Sequence, residues 1–419
     1  MADNRATRPA ELERLRRRTV ATLVAGVALG STGHIAAVTV ATIVATDIAG
    51  GMTAWSGAPG ATVVLGAAAG AVGLSAVMVR SGRRFGLVLG YVVSVIGALM
   101  ATVAIIGSSL PLLLVGTVLI GFGNASNQLS RYTAADLAPP KRRASAIGLV
   151  VWGATIGAVV GPNLVAPAGK LALALGLPEL SGAYLVPIVF VGAAAILSFA
   201  LLRPDPYDLA DASSRHDVEG ARDASTAVSV ASVLARPNVP VAIVALVAGQ
   251  FVMVLIMTMT PLHMAEHGHD LAAVGVVISG HTFGMFGLSP ISGRLTDRFG
   301  SVPVILAGLM TVAFASILAA VAPPEGGALL FVALFLLGYG WNLGYVAGSA
   351  LLTTGLSLAE RTRVQGLTDG LIWSSAAVAS LGSGIVLAYA GYAILGLLGA
   401  ALVVGPTLLV VARRSTVAA

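Results

Sequence analysis

The amino-acid sequence predicts an all-α membrane protein of twelve transmembrane helices arranged as two six-helix bundles. Three observations carry that expectation. Hydrophobic residues make up 57% of the 419 and charged residues only 10%, whereas a water-facing domain carries roughly 25% charge. Twelve apolar stretches each approach or exceed the ~20 residues a helix needs to cross ~30 Å of hydrocarbon. The basic residues, finally, gather in alternate connections between those stretches.

The stretches run over 19–45, 58–79, 85–107, 109–132, 143–169, 183–202, 238–262, 271–294, 302–322, 327–354, 363–389 and 391–412. The first follows Arg5, Arg8, Arg14, Arg16, Arg17 and Arg18, which gives it the outline of a secretory leader. It is too long for one, and no small-residue cleavage site closes it, so it reads as a transmembrane helix. With residues 1–18 as a cytoplasmic tail, every Lys and Arg except Lys170 falls on the cytoplasmic side. One missed or invented helix would scramble that pattern, so it supports both the count and a cytoplasmic C-terminal tail at 413–419. Residues 203–237 form the longest polar segment, with Asp205, Asp208, Asp211, Asp217, Glu219 and Asp223. They read as a cytoplasmic linker between a bundle at 19–202 and another at 238–412, with a short interfacial helix near 225–235.

Composition also excludes function classes. There is no Cys, hence no disulfide, thiolate metal site or thiol nucleophile. The pI near 10 does not point to nucleic acid, because the basic residues sit in short loops between apolar stretches. No G-x4-G-K-[ST] phosphate loop is present, which argues against ATP as the energy source. Richness in Ala, Gly, Val and Arg, against only Lys141 and Lys170, reads as high-GC bacterial coding. The expected location is therefore a bacterial inner (plasma) membrane.

Loop motifs name a family. After the eighth stretch the chain reads Gly293-Arg-Leu295-Thr-Asp297-Arg298-Phe-Gly300. This resembles the G-x-L-x-D-R-x-G signature of the major facilitator superfamily, and the resemblance extends over essentially the whole chain. The equivalent loop after the second stretch, Val79-Arg80-Ser-Gly82-Arg83-Arg84, keeps the Gly and basic residues but has Val79 at the acid position. A motif found once per half is the pseudo-symmetric repeat of that fold. Physically, Gly at the turn lets two helices dock closely, Asp297 can face the positive end of a neighbouring helix, and Arg298 can pair with an acid. The resemblance makes the start of the fifth helix, near Arg143, the partner of Asp297. On that helix Gly148, Gly157, Gly161 and Pro162 resemble the antiporter signature of the superfamily, although its final Gly pair is Val165 and Ala166. Small residues at this spacing permit tight crossing with a helix of the other half, and Pro162 can bend the helix. The Arg that exporters carry midway down the fourth helix is Thr117 here.

The resemblance implies a central cavity between helices 1, 4, 7 and 10. Those stretches offer His34; then Asn124, Asn127, Gln128 and Arg131 on one helical face; Gln250 and Met257; and Trp341, Asn342 and Tyr345. Membrane amides must face protein or water, so these residues, Arg131 apart, are the candidate substrate contacts, the alternative being interhelical bonds. With no Lys or Arg expected at mid-depth, the lining suits a neutral or amphipathic molecule. Two intramembrane ionisable residues stand out. Asp369, at an insertion cost of about 2.5–3.5 kcal/mol, needs a reason to be there, and His281 titrates near neutrality in water. Both are candidate proton carriers; the rival reading pairs Asp369 with Arg80 or Arg361. His263, Glu266, His267, His269 and Asp270 cluster in the seventh connection, where free loop histidines are a commoner reading than a metal site.

The implied function is a monomeric, cofactor-free secondary transporter with no enzymatic site. It would work by alternating access on the proton gradient, exporting a small, largely apolar or amphipathic drug or metabolite. Uptake of a neutral nutrient is the first alternative and a non-transporting membrane sensor the second. A lateral opening between helices would favour lipid-like cargo.

Overall fold

A computed structural model describes residues 4–50, 55, 57–210, 230–269, 271–323 and 327–417. Among them there is no strand. The first half comprises α1 (Asn4–Ile48), α2 (Ala58–Ser81), α3 (Arg83–Ile106), α4 (Leu110–Leu137), α5 (Arg143–Ala174) and α6 (Gly182–Leu201). After the short α7 (Val230–Leu234), the seventh crossing is α8 (Asn238–Met257) continued by α9 (Thr260–Glu266), and the eighth is α10 (Leu271–Phe286) with α11 (Ser289–Phe299). Next come α12 (Ser301–Val321), α13 (Gly327–Leu351) and α14 (Leu358–Val417).

Eleven stretches among the described residues are long and apolar enough to cross a bilayer, the last spanning 57 residues. At ~1.5 Å per residue that stretch would be far longer than a membrane is thick. It is broken at Gly391, whose φ of 82° no helix contains, so it crosses twice and the described crossings come to twelve. Pro59, Pro111, Pro261 and Pro290 each stand in the first turn of a helix, where the missing N–H costs nothing.

The surface inverts that of a soluble protein. Large apolar side chains such as Ile196 and Leu381 are each 71% exposed, which is stable only against hydrocarbon. Polar side chains are turned inward, and hydroxyls such as those of Thr32 and Thr102 donate to the carbonyl one turn earlier, so these donors do not meet lipid unpaired.

Two details display the repeat. Gly82 opens α3 at φ 84°, ψ 163°, and Gly300 opens α12 at φ 87°, ψ 162°, a conformation that excludes side chains. In the first half α3 and α4 touch through Gly97 and Gly116; in the second, α12 and α13 touch through Gly308 and Gly340. A Cβ on Gly116 would lie 2.7 Å from the Gly97 carbonyl, and one on Gly308 2.8 Å from that of Gly340. Close backbone approach is what holds membrane helices together where no hydrophobic effect can.

The expected linker is structured where it leaves the first half. Asp205 accepts the Arg83 and Arg84 backbone N–H groups, each at 3.0 Å, capping α3 where the motif has Val79 in place of an acid. Leu209 and Ala210 pack with Leu137 against Leu12 and Leu15. Residues 211–229, with Asp211, Asp217, Glu219 and Asp223, lie outside the described residues, as does the first part of the expected interfacial helix; α7 is its end.

Candidate functional site

The face that carries both chain ends is closed by contacts between the halves. Asp297 at the end of α11 accepts the N–H groups of Ala144 and Ser145 at 3.1 and 2.9 Å, two of the free donors in the first turn of α5. The expectation for Asp297 names this helix end, and the carboxylate caps it as a point charge on the helix dipole. Gly293 and Gly148 allow the approach: a Cβ on Gly293 would lie 2.6 Å from the Ala144 carbonyl. On the opposite seam a Cβ on Gly366 of α14 would overlap the Ser75 hydroxyl of α2. Arg83, fully buried, donates to Asp136 at 2.6 Å and to Gln365 of α14 at 2.9 Å.

Several motif residues behave differently from expectation. Arg298 is exposed and lies over the Phe299 ring at 5.3 Å rather than on an acid. Arg80 is exposed. Gly157 and Gly161 pack against Ser31 and Thr32 of α1, in the same half. Of the four signature positions on that helix, Gly148 is the one that meets the other half, at Ser289. The four-residue spacing fixes a face of α5, and that face turns toward α1.

Above this closed end lies a cavity of about 610 Å³. Asn124, Asn127, Gln128 and Arg131 of α4 line it together, as their helical phase requires. His34 lines it from α1 and Met257 from the end of α8. The remaining wall is α5, from Val150 to Asn163, α10, including Ser279, Thr282 and Phe283, and Trp373 of α14. The expectation has helices 1, 4, 7 and 10 enclosing the space. Instead α5 and α10 take the place of the tenth crossing, α13, which lies behind the floor. Pro162 stands in the α5 wall, exposed near the face opposite the chain ends.

The floor is an ion pair between the halves. Arg131 donates to both oxygens of Asp369 at 3.1 and 2.6 Å, and to Ser349 through Nε at 3.1 Å. Its guanidinium lies between the Tyr132 and Tyr345 rings, 4.1 and 4.3 Å from their centres. Arg131 and Asp369 are each 1% exposed. Two expectations are corrected here. A guanidinium does lie at the cavity, and Asp369 pairs with Arg131 rather than with Arg80 or Arg361; Arg361 faces Asp136 at 3.8 Å. Such a pair is stable only if its remaining donors are satisfied, and here Ser349, Gln128 and Tyr132 complete the set.

Beside the pair, a polar chain crosses from α4 to α8. Tyr345 donates to Gln128, stacks on Trp341 at 4.4 Å, and Trp341 donates to Gln250 at 2.8 Å. These candidate contacts therefore bond one another beneath the cavity. Asn342 points away from it, donating to the Met285 carbonyl and the Ser289 hydroxyl at 2.6 and 2.7 Å and accepting from Ser292. It joins α13 to α10 and α11. Asn342→Ala is expected to lower stability by about 1–3 kcal/mol, the cost of stranding buried groups, with a matching fall in thermal midpoint in detergent. His281 is likewise in a helix seam, fully buried, donating through Nδ1 to the Leu334 carbonyl at 2.7 Å. The structure does not bring it to Asp369 or to the cavity lining. Thr117 shares a hydrogen bond with Thr62 at 2.7 Å. Of the loop cluster, Asp270 lies outside the described residues. His263 stacks on Tyr392 at 4.2 Å, and no group of three metal-ligating side chains occurs among the described residues.

Comparison with known proteins decides the family. The sequence matches the profile of the Major Facilitator Superfamily over residues 19–380, with a further match over 241–418. The chain belongs to the major facilitator superfamily. It is 36% identical over 391 residues to the uncharacterized MFS-type transporter YdeG of Bacillus subtilis (strain 168), covering 93% of this chain and 90% of that one. It is 29% identical over 337 residues to the riboflavin transporter RfnT of Brucella anthropi, covering 78% and 79%. Among solved structures it shares the fold of the E. coli fucose:proton symporter FucP, with a TM-score of 0.72, 17% identity, and coverage of 94% of this chain and 98% of that one.

Within this major-facilitator fold, polar side chains also border the cavity apart from the ion pair and the polar chain. His34 Nδ1 and Thr155 Oγ1 are buried without a hydrogen bond among the described residues, and Asn124 lines the space 7% exposed. His34 and Asn124 are legible in the sequence. Thr155 is not: it stands in an apolar run of α5, and a membrane Thr ordinarily satisfies its hydroxyl on the carbonyl one turn back.

Proposed function

We propose that this transporter exports a neutral, amphipathic small molecule in exchange for protons. The observation that carries the reading is the Arg131–Asp369 pair, which joins the two halves at the base of the cavity. A proton on Asp369 removes the charge that holds Arg131, so protonation and separation of the halves on that side favour each other. On this reading residues 19–202 and 238–412 rock as two bodies about the cavity, with 203–237 as tether. The closed face, with both chain ends, is the cytoplasmic side of a bacterial plasma membrane, and a monomer suffices.

The cargo class follows from the lining. Among the described residues the one charged side chain at the cavity, Arg131, is committed to Asp369, while His34, Asn124 and Thr155 offer hydrogen bonds among apolar walls. That combination suits a molecule with an uncharged polar part and an apolar remainder. Asp297, Gly293, Gly300, Arg83 and Gly82 serve the switch rather than the cargo.

The relation to RfnT favours a second reading, movement of a planar heteroaromatic compound such as riboflavin, for which amides and rings are apt partners. One experiment separates the two. In proteoliposomes containing a pH-sensitive dye, a panel of lipophilic antibiotics and riboflavin is added with and without an imposed proton gradient. Proton movement opposite to one of the lipophilic compounds supports export. Gradient-independent riboflavin counterflow alone supports the second reading. No proton movement with any compound defeats the proton-coupled proposal.

A further inference from the structure

The central cavity meets a second one on the outside of the molecule. That outer groove, of about 680 Å³, is lined by Gly275, Val276, Ser279, Gly280, Phe283, Phe331 and Phe335. Ser279 and Phe283 line both spaces. They stand on α10 at the level where it faces α5. Apolar side chains of both spaces are left uncovered: Phe283 is 51% exposed, Val159 of α5 62% and Val276 60%. Phe283 and Ser279 are thus a partition one side chain thick between the cavity and the outer groove.

The close glycine contacts of this seam are confined to its closed end. Near the closed face α5 and α11 are drawn together by Gly148, Gly293 and the Asp297 cap. Further along, the α5 glycines at 157 and 161 turn toward α1, and Gly275 has nothing within 4 Å of the place a Cβ would occupy. No close backbone contact thus joins α5 to α10 at this level among the described glycines. The groove beyond is lined by Gly, Val, Ser and Phe, with no charged side chain among the described residues.

We propose that the space between α5 and α10 is a lateral portal, through which a neutral amphipathic molecule passes between the cavity and the bilayer hydrocarbon. Phe283 is its sill and Ser279 its polar contact. The apolar part lies against Phe331 and Phe335 in the outer groove, while the polar part reaches Thr155 and His34 inside. The proposal rests on the transport reading only for the class of cargo; the opening itself is tested without transport.

The chain has no Cys, so a single installed thiol reports alone. Ala154, on the cavity side of α5, accepts the small change Ala154→Cys. In phosphatidylcholine proteoliposomes, without any gradient, N-dodecylmaleimide partitioned into the bilayer should label this thiol. Adding Ser279→Trp, which fills the portal, should slow that labelling about tenfold, a barrier rise of ~1.4 kcal/mol. Adding Phe283→Ala instead should speed it severalfold. Labelling of the lipid-facing variant Ile196→Cys should be unchanged by either. Equal labelling rates for Ala154→Cys with Ser279→Trp, with Phe283→Ala and with neither would overturn the portal. So would a failure of N-dodecylmaleimide to label Ala154→Cys while it labels Ile196→Cys. Neither readout depends on protons, so the portal and the proton-coupled export stand or fall separately.

Discussion

Asp369→Asn is expected to lower gradient-driven transport about 100-fold, near the upper end of what a coupling free energy of ~1–3 kcal/mol delivers. The amide cannot exchange a proton, yet it occupies the same volume. Arg131 then stays buried between two tyrosine rings without a counter-charge. Breaking a buried pair from one side costs about 3–5 kcal/mol, so the single variant should also melt earlier. The double variant Arg131→Gln, Asp369→Asn removes the stranded charge and should recover most of the lost stability without recovering pH-driven transport. That split separates coupling from mere damage. Proton-driven transport at the unaltered rate in Asp369→Asn would show that the proton binds elsewhere.

The second large effect is conformational. Gly293→Val places a branched side chain where the α5 backbone already lies: even a Cβ would be 2.6 Å from the Ala144 carbonyl and 2.8 Å from the Ser145 Cα. Backbone cannot turn aside as a long side chain can, and over-packing of this kind costs about 1–3 kcal/mol. The penalty acts only while the seam is closed, so the balance should shift toward the form open on the side of the chain ends. Spin labels on Lys141→Cys and Arg298→Cys, both exposed on that face, should report a longer separation in Gly293→Val. An unchanged distance distribution alongside reduced stability would mean that the contact packs the fold without controlling its switch.

The fold was legible because hydrocarbon is an undiscriminating solvent: it demands length and apolarity, and both can be read along the chain. The Asp297 cap was legible too, because its loop resembles the family motif, and that resemblance makes the start of the fifth helix its partner. The floor of the cavity was not. Arg131 sits one residue before the expected end of its apolar stretch, and so counts as a loop charge; α4 in fact runs on to Leu137 and carries it inside. Its partner is 238 residues away, and pairing at that range leaves no periodic trace. Asn342 is a different case: its amide is taken up by the Met285 carbonyl and the Ser289 hydroxyl, partners more than fifty residues away that its own helix does not announce. For Gly157 and Gly161, spacing defines a face but not the helix it meets.

The bonding of Arg131 to Asp369 has an electrical consequence. Together they contribute no net charge, and no other Lys, Arg, Asp or Glu among the described residues lines the cavity. A proton added to Asp369 leaves the site with one positive charge. On the proposed cycle, in which a neutral molecule leaves as a proton enters, each turnover therefore carries current. The membrane voltage then contributes roughly 2.3 kcal/mol per charge for each 100 mV, so clamping the voltage to zero with a potassium ionophore should slow export even when the pH difference is held constant.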